Sequence, residues 1–126
     1  MYSATVWHHI QHTQNRDVLA TANAVGESHY SQCRDHLILQ LRIEEGLIVE
    51  ARFLAKACGA VVATASLFTT QLIGLRVEQA RQISARQLDA DIGHLPAPKR
   101  HALWMCLEAL HRALDTQTAK GESDYV

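Results

Sequence analysis

Three cysteines, Cys33, Cys58 and Cys106, and eight histidines stand among the 126 residues of this chain. An odd number of thiols, in a chain whose start carries no basic-then-apolar export segment, argues against a disulfide framework and leaves metal ligation, reactivity or burial. A histidine can be a ligand, a proton carrier or a packed ring, so position has to decide. The stretch HLPAPKRHALWMC sets His101 near the start of a helix and Cys106 one turn further in. Cys33 and Asp35 stand just before a strongly alternating segment, and Cys58 stands between a second such segment and an apolar run. A thiolate at a helix N-terminus gains from the unpaired N–H groups and the helix dipole, which favours metal binding or nucleophilic attack by Cys58. The plain alternative is a thiol buried at a strand–helix junction. His8 and His12 share one face of an N-terminal helix at a spacing that can hold zinc, with His9 beside them. No acidic or thiol partner accompanies them, and a solvated histidine patch is the simpler reading.

The elements that must position these residues are legible from periodicity. Val6, Ile10 and Trp7 fall at helical spacing after Ser3, a suitable cap. From Asp35 to Glu44, Leu37, Leu39, Leu41 and Ile43 alternate with His36, Gln40, Arg42 and Glu44, the pattern of a half-buried strand. A turn at Gly46 leads to a second alternation that sets Val49, Ala51 and Phe53 opposite Ile48, Glu50, Arg52 and Lys56, so the pair forms an antiparallel hairpin. Ala24–Tyr30 offers a weaker third strand. GAVVATASLFTTQLIG reads as a helix burying Val61, Ala65, Phe68 and Leu72 and ending at Gly74. RVEQARQI is a short helix, and DADIGHLPAPK a turn of helix followed by a rigid loop. A last helix runs from about Lys99 to Leu114, with Pro98 at its first position and Leu103, Leu107, Leu110 and Leu114 inward. Trp104 and Met105 read as core or interface residues.

The expected architecture is α+β: a small antiparallel three-stranded sheet packed on one face by helices, with a long C-terminal helix. One domain spans residues 1–115, and a polar, frayed tail occupies 116–126. In such a hairpin, Asp35 at the start of one strand and Cys58 after the end of its partner lie at the same end of the sheet.

Composition narrows the functional classes. Hydrophobic residues make up 48% and charged residues 20%, values of an ordinary globular protein. The formal net charge is -1 and the basic residues are scattered, which leaves no electrostatic footprint for nucleic acid. The longest weakly polar stretch, Ala57 to Phe68, is too short to span a bilayer, so a cytoplasmic protein without membrane contact is expected.

Three stretches carry a resemblance: YSATVWHHIQHTQNRDVL, CRDHLILQLRIEEGLIVEARFLAKACGAVVATASLFTTQLIG and LPAPKRHALWMCLEALHRAL. Together they are similar to the iron–sulfur cluster assembly scaffolds of the IscU type, the NifU N-terminal family, over about residues 2 to 115. The most specific parts are the cysteine-x-aspartate before the strand, EARF, CGAVVATAS and the LPxxKxH segment. The resemblance implies that Cys33, Asp35, Cys58 and His101 match positions that hold a transient [2Fe-2S] cluster, iron or a zinc ion, and that Lys99 matches the lysine of the same segment. It also implies partners: a cysteine desulfurase that supplies sulfur, apo iron–sulfur proteins that receive the cluster, and a chaperone met through the LPAPK segment. Family members are carriers rather than turnover enzymes.

The departures matter as much as the matches. The family places a third cysteine directly after the histidine, and here that residue is Ala102. Glycines flanking the first cysteine are replaced by Gln32 and Arg34, and LPAPK stands for LPPVK. Cys33, Asp35, Cys58 and His101 still number four, enough for a [2Fe-2S] cluster or a tetrahedral zinc, with the mononuclear site losing least. Cys106 lies one helical turn, about 5.4 Å, beyond Ala102, a large offset against a metal–sulfur bond of about 2.3 Å, so burial outweighs ligation there. His36 is a reserve ligand on the opposite strand face. Without a thiol at 102, Cys33 or Cys58 must accept sulfur, or clusters are no longer built. The readings in contention are therefore a variant scaffold, a diverged desulfurase-binding or regulatory module without a stable cluster, and a catalytic set with Cys58 as nucleophile, His101 as base and Asp35 as orienter.

Overall fold

The computed structural model describes residues 1–124, with side chains through Gln117. Helix α1, Ala4–Gln11, opens at Ser3, whose Oγ accepts from the Val6 N–H and donates to the Ile92 carbonyl at 2.6 Å. Strands β1 (Ala24–Tyr30), β2 (Asp35–Glu44) and β3 (Leu47–Lys56) form one antiparallel sheet in the order β1-β2-β3. The β2–β3 turn uses Glu45 and Gly46 at φ 51° and 78°, the left-handed pair that a two-residue hairpin turn requires. Helices α2 (Gly59–Leu72), α3 (Val77–Arg81) and α4 (Ala85–Ile92) follow, then a single 3-10 turn at Ala97–Lys99 and the long α5 (His101–Asp124).

The alternation in β2 sends Leu37, Leu39, Leu41 and Ile43 into a core closed by α2 and α5 on that same face. Against β1, α5 approaches so closely that a Cβ on Gly26 would stand 2.0 Å from the Ala109 carbonyl oxygen. Only glycine fits there. In β3 the expected facing is wrong at one end. Arg42 pairs with Glu50 but Ile43 pairs with Ile48, so Val49 is an extra residue in a β-bulge. The bulge reverses the alternation, and Ile48, expected outward, is fully buried.

Three other expectations are corrected. Helix α2 buries not one stripe but most of its circumference, from Ala60 through Ser66, because it lies between the sheet and its neighbouring helices. Helix α4 is a complete element capped by Ser84, and α5 begins at His101 after the 3-10 turn holding Pro98, continuing past Leu114. Trp104 is 64% exposed and outside the core, whereas Met105 is buried. Of the tail expected over 116–126, side chains beyond Gln117 and the last two residues altogether lie outside the described residues. Among those described, no helix is long and apolar enough to cross a membrane.

Candidate metal centre

Four local structures meet at one end of the sheet. The turn between β1 and β2 is closed by the Cys33 N–H on the Tyr30 carbonyl and the Arg34 N–H on the Ser31 carbonyl, both at 3.3 Å. It leaves Cys33 exposed and forces Arg34 to φ 55°, a conformation glycine adopts without cost. Asp35 then starts β2 opposite Tyr30. Cys58 is the N-cap of α2, with its carbonyl accepting from Val61 and Val62 and its side chain making no capping bond. His101 opens α5.

Asp35 joins these parts. Its side chain is 3% exposed, with Oδ1 accepting from the Cys58 N–H at 3.0 Å and Oδ2 lying 2.9 Å from His101 Nε2. The His101 ring is stacked on Tyr30, centroids 4.1 Å apart and planes at 13°. Its other nitrogen, Nδ1, is buried without a hydrogen-bond partner. Ligand atoms of Cys33, Asp35 and His101 all lie within 4.8 Å of one another. Among the described residues the Cys58 sulfur is not part of that group; Cys58 reaches Asp35 through its main chain instead. Lys99, two residues before His101, has its pKa raised by the negative charge of Cys58 first, then of Tyr2, with smaller help from Cys33 and Asp35. The lysine therefore faces the site electrostatically.

Cys106 is fully enclosed in the core, and burial pushes its thiol pKa far up, which removes it from ligand chemistry in the folded chain. Ala102 is likewise sealed in the core at the first turn of α5. His36 faces away from Asp35, as alternation demands, and lies 3.1 Å from Glu27. His8 and His12 are exposed, their ring centroids 5.2 Å apart, while His9 is buried against Ser66 at 2.7 Å.

Sequence reasoning missed two contributors. Tyr30 was visible only as the end of a strand, and its ring fixes the plane of His101. Asp89 read as part of a helical turn, yet its buried carboxylate accepts from the Leu95 N–H at 2.8 Å and from Arg100 at 2.9 Å, and lies 3.1 Å from His94 Nδ1. That clamp folds the loop between α4 and α5 and sets where Lys99 and His101 arrive. Burial alone would raise the Asp89 pKa, but the Leu95, His94 and Arg100 contacts outweigh it and hold the carboxyl below its ordinary value. The run D-x-x-x-x-H-L was the available signal, a helix-end acid followed by a left-handed turn.

Chemically, a carboxylate, an imidazole and a thiol offer three of the four donors that a tetrahedral ion or a [2Fe-2S] cluster takes from protein. The Asp35 carboxylate and the His101 Nε2 stand 2.9 Å apart, close enough to serve one ion together, and the ring keeps a second buried nitrogen without a partner. The donor set fits a metal. It does not fit a nucleophile–base pair: Nε2 is taken by Asp35 and Nδ1 has no partner, so the Cys58 thiol makes no hydrogen bond to His101.

The family model for the NifU-like N terminal domain matches residues 1–123. The nitrogen fixation protein NifU of Cereibacter sphaeroides is 38% identical over 101 residues, a match covering 80% of this chain and 41% of that protein. The iron-sulfur cluster assembly scaffold protein IscU of Aquifex aeolicus is 29% identical, covering 90% of this chain and 73% of the relative. The crystal structure of the N-terminal part of a nitrogen-fixing NifU-like protein from Brucella abortus superposes with a TM-score of 0.73 at 15% identity, covering 94% of both chains, and so shares the fold. The chain spans about two fifths of the Cereibacter relative's length.

Proposed function

Because the chain belongs to the NifU-like N terminal domain family, we propose that it is an iron–sulfur cluster assembly scaffold that receives iron and sulfide as cargo and passes a cluster to apo-proteins. The observation that carries this reading is the convergence of Cys33, Asp35 and His101 at the end of the sheet where Cys58 caps α2. Cys33, Asp35 and His101 supply the preformed ligands, and Cys58 completes the set when its side chain turns inward from the helix start. Asp35 also orients His101, and Lys99 balances the negative charge that thiolates and sulfide bring. The cargo is a [2Fe-2S] cluster or iron, with zinc as an alternative occupant.

Sulfur delivery falls to Cys33, the exposed thiol. Its thiolate attacks the outer sulfur of a cysteine desulfurase persulfide; the donor's S–S bond breaks, a new one forms on Cys33, and the donor leaves as thiolate. No external oxidant or reductant is needed for that transfer. The LPAPK turn, with Ala97 and Pro98 exposed, is the surface for a chaperone.

Anaerobic incubation with ferric iron and sulfide should give visible charge-transfer absorption that is lost in Cys33→Ser and Cys58→Ser. A colourless wild-type protein without stoichiometric metal would overturn the reading. Ala102→Cys restores a thiol to the first turn of α5 and should lengthen cluster retention. One observation favours a second reading: among the described residues this centre gathers three ligand atoms, and Ala102 offers none. On that reading the chain binds a cysteine desulfurase and regulates assembly without a stable cluster. Co-elution with desulfurase in the absence of bound metal would select it.

A further inference from the structure

A second group of ligating side chains lies on the opposite face of the sheet, outside the centre just described. Glu27 and His29 project from β1 and His36 from β2, and their ligand atoms all lie within 4.8 Å of one another. His29 and His36 are direct cross-strand partners, and their rings are stacked with centroids 4.1 Å apart and planes at 13°. One carboxylate oxygen, Glu27 Oε2, serves both imidazoles: it is 3.1 Å from His36 Nε2 and 3.7 Å from His29 Nε2. Two parallel imidazoles converging on one oxygen is more than a surface ion pair needs.

From this geometry we propose that Glu27, His29 and His36 form a second, independent site for a divalent transition-metal ion of the zinc type. Two imidazoles and one carboxylate select zinc-like ions over magnesium or calcium, which take oxygen donors, and leave a coordination position for water. Bonds of about 2.0–2.2 Å set neighbouring ligand atoms roughly 3.4 Å apart, and the two carboxylate–imidazole separations, 3.1 and 3.7 Å, already lie on either side of that value, so only small side-chain adjustments are needed. The exposed His29 and Glu27 side chains have the freedom to make them, while the paired strands hold their Cα positions. The hydrogen-bonded ladder thus lowers the ordering cost of assembling three ligands. Because Asp35 and His36 are consecutive in β2, the two centres sit on opposite faces of one strand. Ligands are not shared, and the second site contains no sulfur.

The test uses the full chain and the metal alone. Zinc titration by calorimetry should show two classes of site, one removed by Cys33→Ser with His101→Ala and the other by His29→Ala or Glu27→Gln, each surface variant weakening its site by about tenfold or more. Cobalt(II) provides a second readout that survives poor folding of the core-site variant. Bound by thiolate it gives an intense sulfur-to-metal band, while the second site gives only weak ligand-field absorption, lost in His29→Ala with the intense band retained. Unchanged zinc stoichiometry and affinity in both His29→Ala and Glu27→Gln would overturn the proposal and leave the scaffold reading untouched. Loss of the intense band in wild type, with the weak band present, would count against the scaffold reading and support this one.

Discussion

Solvent access separates the three thiols: Cys33 is exposed, Cys58 is half-buried at a helix start, and Cys106 is sealed in the core. Alkylation of metal-free native protein should therefore modify Cys33 first, Cys58 more slowly and Cys106 only after denaturation. Peptide mass mapping over time checks the order, and early labelling of Cys106 would contradict the packing of α5. His9 gives a residue-scale dependence on pH. Its pKa is lowered, chiefly by burial and secondarily by the charge of His8, so the unfolded chain takes up a proton more readily than the folded one. Stability from neutral His9 is complete above the ordinary value of about 6.5 and declines as pH falls through it towards the depressed folded value. Denaturant midpoints measured above and below that value should differ less in His9→Gln than in wild type.

At the scale of elements, two contacts decide whether α5 delivers His101 to the site. The first is Gly26, where β1 meets the α5 backbone at Ala109 and Ala113. Gly26→Ala pushes a methyl into main-chain atoms that cannot step aside individually, and should destabilise the fold by about 3 kcal/mol or more in urea titration. Metal affinity should fall with it, since the helix must shift. The second is the Asp89 clamp. Asp89→Asn keeps the shape but removes the charge that Arg100 meets, and should cost about 1–3 kcal/mol. With its pKa depressed, Asp89 contributes stability that is present above the ordinary carboxylate value and is lost as pH falls through the folded one. The acid limb of the stability profile should consequently flatten in Asp89→Asn.

For the whole molecule, the arrangement of faces matters most. Helices cover one side of the sheet, and the candidate centre lies at the sheet's end, where β1–β2, β3–α2 and α4–α5 connections come together. The ligands thus arrive on turns and helix starts while the core behind them stays packed, an arrangement suited to cargo that must enter and leave. Exposed Trp104 forms, with Ile83, Leu107 and His111, the wall of a shallow groove of about 450 Å³ beside α5. On the proposed scaffold reading, the body should persist when the metal leaves. Circular dichroism before and after chelation should report little change in helix content, and collapse of the spectrum would mean that the metal holds the fold together.

Periodicity alone determined the hairpin and the inward leucines of β2 and α5, and only weakly the first strand, because alternation at two and spacing at three and four residues are local consequences of which side chains avoid water. Antiparallel pairing then forced Asp35 and Cys58 to one end of the sheet, and the family resemblance, not the residue pattern, marked Ala102 as standing where a cysteine is expected. What periodicity could not supply was any quantity set by contacts between distant segments. The bulge that turns Ile48 inward, the Tyr30 stack, the Asp89 clamp and the place of the Cys58 sulfur outside the ligand group were decided only by tertiary packing. Each depends on how two elements approach within a few ångströms, and no local pattern encodes that distance.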